Sequence, residues 1–90
     1  MIDDLDAAVQ RLREVIERNG LAWREPAISH ELQEFSWTRV DKALVMAIDD
    51  GELVYLKVWG PHMRNDMEEG PVEDSHFVEL WKWLYPEAKT

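Results

Sequence analysis

Lys42-Ala43-Leu44-Val45-Met46-Ala47-Ile48-Asp49-Asp50-Gly51-Glu52-Leu53-Val54-Tyr55-Leu56-Lys57-Val58-Trp59 decides the fold of this chain. Two apolar runs rich in strand formers flank Asp49-Asp50-Gly51-Glu52. Asp-Gly between such runs is a strong hairpin signal, because both central residues of a tight primed turn need positive φ. Strands are predicted at 42–48 and 53–59. A two-residue turn at Asp50-Gly51 would set Ile48 opposite Leu53, Met46 opposite Tyr55, Leu44 opposite Lys57 and Lys42 opposite Trp59, all on one face. The other face would pair Ala47 with Val54, Val45 with Leu56 and Ala43 with Val58. A sheet wetted on one side alternates apolar and polar residues. This hairpin barely does so, and both its faces read as apolar.

Working outward toward the N-terminus, Phe35-Ser36-Trp37-Thr38-Arg39-Val40 alternates and favours a strand. Ile28, Leu32 and Phe35 have helical spacing, so 28–35 reads either way. A strand at 31–40 is the reading adopted. A two-residue turn into the hairpin would put Phe35, Trp37 and Arg39 on the bulky face. Arg39, Lys42 and Lys57 would then gather at one end, near Trp37 and Trp59, where cation–π contacts account for them. Residues 21–30 read as a loop, with Pro26 disfavouring helix at Glu25. That loop carries Trp23, which could sit in a short extended piece, lie over the core, or cover the second sheet face. A partner or a second copy could cover it instead, because uncovered apolar faces mark interaction surfaces.

Ile2–Asn19 reads as a helix. Ile2, Leu5, Val9, Leu12 and Ile16 form its apolar stripe, with Ala8 and Val15 beside it. Asn19-Gly20 supplies the stop. On the C-terminal side, Gly60–Gly70 reads as a loop. Gly70-Pro71-Val72-Glu73 resembles a helix start, with Asp74 or Ser75 as other possible caps. Phe77, Leu80, Trp81 and Leu84 give the buried face, Trp83 falls off it, and Pro86 ends the helix near Tyr85. The expected architecture is α+β in the order α-β-β-β-α. A three-stranded antiparallel meander carries the N- and C-terminal helices on one face, in a single domain over residues 1–90.

Composition excludes several classes of function. There are no cysteines among the 90 residues, which removes disulfides, thiol chemistry and Cys-based metal sites. No apolar run approaches the ~20 residues that span a bilayer, and the N-terminus lacks the pattern of a signal peptide. A cytoplasmic protein is expected. The net charge of −9 opposes binding to nucleic acid or anionic lipid and permits attraction to a basic partner, though acidity also serves solubility alone. Asp66, Glu68, Glu69, Glu73 and Asp74, against Arg64 alone, concentrate that charge between residues 61 and 75.

His30-Glu31-Leu32-Gln33-Glu34 lacks the second histidine of the zinc-protease helix. No Gly-x-Ser-x-Gly elbow and no phosphate loop occurs. Asp49-Asp50 is explained by the turn. No catalytic residue, cofactor or metal site is assigned, and the protein is not expected to be an enzyme. The preferred function is a non-catalytic interaction protein, an inhibitor or regulator docking an acidic, aromatic surface on a more basic protein. Small phage-encoded inhibitors and bacterial immunity proteins fit this profile as a class. The expected partner-binding residues are Trp59, Met63, Asp66, Met67, Glu68, Glu69, Glu73, Asp74 and Trp83. Affinity would come from the aromatic and methionine anchors, and steering from the carboxylates. One alternative is a homodimeric accessory protein using the spare sheet face. A second is a small metal-dependent enzyme built on His62 and nearby loop carboxylates.

Overall fold

The computed structural model describes residues 4–61 and 72–88. The chain runs α1 (Asp4–Arg18), β1 (Ala27–Ser29), β2 (Glu34–Thr38), β3 (Ala43–Asp49), β4 (Glu52–Trp59) and α2 (Asp74–Leu84), then a 3-10 turn at Pro86–Ala88. The strands form one antiparallel sheet in the order β1-β2-β3-β4. The α+β class and the meander are as expected, with one added strand. β1 falls within the stretch expected to be loop, where Ile28 pairs with Phe35. The strand expected over 31–40 is shorter. Residues 30–33 form a turn, with Gln33 at φ 56°. Three residues and a neighbouring proline give too little alternation for β1 to be read locally. It exists because β2 offers it a ladder.

Helix α1 buries Leu5, Leu12 and Ile16 of the predicted stripe and Val15 beside it, while Val9 and Ala8 are only partly buried against them. It stops as Asn19-Gly20 suggested. Gly20 sits at φ 73°, its N–H donates to Glu17 O, and the Leu21 N–H donates to Ile16 O. That pair of bonds is the Schellman arrangement, and Leu21 joins Ile16 in the core as the accompanying apolar contact. Helix α2 buries Phe77, Val78, Leu80, Trp81 and Leu84. Its N-cap is Glu73, whose side chain makes no capping hydrogen bond, and its C-cap is Tyr85. The helix starts at Asp74, later than the Gly70-Pro71-Val72-Glu73 start expected, and neither Asp74 nor Ser75 is its cap, because Glu73 is still extended; Gly70 and Pro71 lie outside the described residues. No helix of the described residues is long and apolar enough to cross a membrane.

Between the helices and the sheet lie Phe35, Trp37, Leu44, Met46, Leu53, Tyr55 and Val58. At the hairpin turn, Asp50 and Gly51 take φ 51° and 80°, and the predicted pairs Ile48–Leu53, Ala47–Val54 and Met46–Tyr55 form. Beyond them the register changes. A bulge at Val45/Met46 pairs Val45 with Lys57, Leu44 with Val58 and Ala43 with Trp59. One extra residue reverses the facing of everything past it, because side chains alternate with a period of two. Val58 therefore turns to the core, while Lys57 and Trp59 move to the face away from the helices. This corrects the expectation that both share the bulky face.

Candidate functional site

The five tryptophans divide by where their indole N–H groups go. Trp37 donates to Arg24 O at 2.9 Å and Trp81 to Ala22 O at 3.1 Å. These two buried donors tie residues 22–24 to the core side of the molecule. Trp23 then stacks on Trp81, with centroids 5.0 Å apart, and meets Trp37 edge-on at 5.6 Å. Trp23 thus packs with the core and does not cover the second sheet face. Trp83 donates to Pro61 O at 2.9 Å. Only Trp59 is strongly exposed, at 44%.

The cations near the C-terminus of α2 are occupied. Arg39 donates to Leu84 O and pairs with Glu87, and its guanidinium lies 4.9 Å from the Tyr85 ring centre. Lys42 donates to Trp83 O at 2.6 Å and lies over that ring. Both oppose the negative end of the helix dipole. The hydrogen bond from Arg39 holds the Glu87 carboxyl below its ordinary range and raises Arg39 further. Burial pushes the Tyr85 hydroxyl up. The expected cation–π contacts exist, though Arg39 uses Tyr85 and Lys42 uses Trp83 in place of Trp37 and Trp59. Lys57 does lie over Trp59, at 5.9 Å.

The expected partner-binding residues do not form one patch among the described residues. Met63, Asp66, Met67, Glu68 and Glu69 lie outside them, as does His62. Asp74 is ion-paired to Arg11 at 2.8 Å, and Glu73 is the exposed N-cap of α2. Trp83 sits near the other end of α2, about 14 Å away at the helical rise per residue. Its ring lies against Gly60 and its N–H donates to Pro61 O. Trp59 projects from the opposite face of the sheet.

The structure gathers a different set. Glu34 pairs with Ala47, the Ile48 N–H donates to Gln33 O, and Asp49 lies directly opposite Glu52. Glu34, Asp49 and Glu52 therefore share the face away from the helices. The adjoining turns add Glu31 and Asp50. None of the five forms an ion pair with a described residue, whereas Asp74, Glu17, Glu25, Glu79 and Glu87 all do. Like charges directly opposite on neighbouring strands cost stability, and the turn itself needs only Asp50 and Gly51. Leu32, 66% exposed, lies in the turn among these acids. Sequence reading missed this set by assigning Asp49-Asp50 to the turn. The available signal was the alternation of β2, which placed Glu34 on the face opposite Phe35 and Trp37, but linking Glu31 and Glu34 to the hairpin acids needed the β2–β3 register.

Two clefts lined by described residues are shallow. One of 370 Å³ between α1 and α2 is lined by Val15, Arg18, Asp74, Val78, Glu79 and Lys82, and it mixes both signs of charge. The other, of 160 Å³, lies beside β1 over Glu34, Ser36 and Val45. Among the described residues no group of three or more His, Asp or Glu could hold a metal ion. No protein-family profile, curated protein or solved structure matches this chain.

Proposed function

We propose that the protein is a non-catalytic interaction protein, an inhibitor or regulator that docks on a more basic protein. The observation that carries this reading is the carboxylate set Glu31, Glu34, Asp49, Asp50 and Glu52 at one end of the sheet, near exposed Leu32; none of these acids forms an ion pair with a described residue. Carboxylates held on strands and tight turns lose little entropy when a cation meets them, and an apolar side chain among them supplies an anchor. A chain of net charge −9 also accelerates encounter with a basic surface. The surface differs from the one expected from sequence in its residues, while the partner class is the same.

The test is capture of partner proteins by the immobilised chain, compared with Asp49→Lys/Glu52→Lys. Capture is expected to weaken as salt rises from about 0.05 to about 0.5 M, because exposed charges are then screened. The double variant is expected to lose at least tenfold in affinity for whatever the wild-type chain retains. Capture insensitive to both salt and the double variant would sink the electrostatic reading.

A further inference from the structure

The carboxylate end of the sheet has a counterpart at its other end. Past the bulge, Lys57 and Trp59 share the face of Glu34, Asp49 and Glu52. Lys57 forms no ion pair with a described residue and rests over Trp59. At the same end, Val40 at the tip of the β2–β3 turn is fully exposed at 103%. That face carries Glu34, Asp49 and Glu52 at one end, beside the turn that holds exposed Leu32, and Lys57 and exposed Trp59 at the other, beside the turn that holds exposed Val40; none of these charged groups forms an ion pair with a described residue. The ends are about 17 Å apart at the rise of an extended strand.

We propose that a second copy of this chain docks on that face, antiparallel and related by a two-fold axis. Each copy sets its Lys57–Trp59 end against the carboxylate–Leu32 end of the other. A two-fold contact uses both ends of both copies at once, so the arrangement closes at a dimer. The lysine–carboxylate contacts fix orientation, because the parallel arrangement would set carboxylates on carboxylates. The contact is small. Ala47 and Val54 in the middle of the face are already shielded, at 6% and 8% exposure, so the gain comes from the two ends. That is less than the ~800 Å² per partner of a stable interface, which puts the dimer among weak, concentration-dependent ones. Two chains of −9 also repel, which keeps the dimer weak. The inference stands on the sheet alone and goes beyond the partner reading, since twin and basic partner compete for the same carboxylates.

The absence of cysteine gives a test without background. Sedimentation of the wild-type chain from about 10 to about 500 µM is expected to show a reversible monomer–dimer equilibrium, with Trp59→Ala about tenfold weaker. Under mild oxidation, a mixture of Glu52→Cys and Lys57→Cys chains is expected to give mostly the mixed disulfide dimer. Val45→Lys, checked for a native circular dichroism spectrum, is expected to stay monomeric. A strict monomer at every concentration and salt overturns the proposal. So does a dimer in which each cysteine variant cross-links chiefly to itself. Partner capture is read against other proteins and the dimer on the purified chain alone, so failure of one is distinguishable from failure of the other.

Discussion

Replacing Gly60 with alanine is expected to be the most damaging single-methyl addition at any described glycine. Gly60 has φ 145°, a backbone region nearly reserved for glycine. A Cβ there would lie 2.7 Å from a Trp83 ring carbon, 2.9 Å from Asp41 O and 3.0 Å from Lys42 Cγ. None of these neighbours yields freely. The Trp83 indole is bound to Pro61 O, Lys42 is bound to Trp83 O, and Asp41 O belongs to the β2–β3 turn. The backbone contributes about 2 kcal/mol and the overpacking about 2 more. A loss of about 4 kcal/mol lowers Tm by about 20 °C in a domain of this size. Gly20→Ala is the control. Gly20 also has positive φ, at 73°, but nothing lies within 4 Å of a Cβ placed there. Only the backbone effect remains, about 1 kcal/mol or about 5 °C. Urea and thermal unfolding of both variants, followed by circular dichroism with unchanged m-values, make the comparison. Equal losses in the two would refute the steric seat of Trp83 on Gly60.

Three further outcomes follow from the same contacts. Trp23→Ala removes the stack on Trp81 and the edge contact to Trp37, and is expected to cost about 2 kcal/mol and to flatten the near-ultraviolet dichroism of the remaining tryptophans. Asp49→Lys replaces a like-charged cross-strand pair with an opposite one, so Tm should rise by about 2 °C even as partner capture falls; a lower Tm would show that Asp49 has a structural role. The Glu87 carboxyl is depressed in the folded state, so its pairing stabilises the fold above the ordinary carboxylate range and is lost as pH falls through the folded value. Tyr85 is raised, so its contribution is full below the ordinary phenol value and is lost as pH climbs through the folded one. Chemical denaturation across pH should therefore show Glu87→Gln flattening only the acid limb and Tyr85→Phe only the alkaline limb.

What the chain determines locally is considerable. The stripe of α1 and its Asn19-Gly20 stop, the face of α2 and its end at Pro86, and the Asp50-Gly51 turn all rest on spacing and on residues with restricted or permissive φ. Those signals are short-range, so one sequence carries them. The doubly apolar character of 42–59 was also visible, but which face each residue takes was not. A single bulge at Val45/Met46 exchanges the positions of Val58 and Trp59 between core and surface, and nothing in the local pattern marks it. The gain is a tertiary one: Val58 packs among the helices, while Lys57 avoids burial. The short strand β1, the capture of Trp23 by Trp81, and the union of Glu31 and Glu34 with Asp49 and Glu52 likewise depend on ladders and ring contacts between distant segments. Periodicity assigns elements; the acidic end opposite Lys57 and Trp59 exists only once register and bulge have placed four strands side by side.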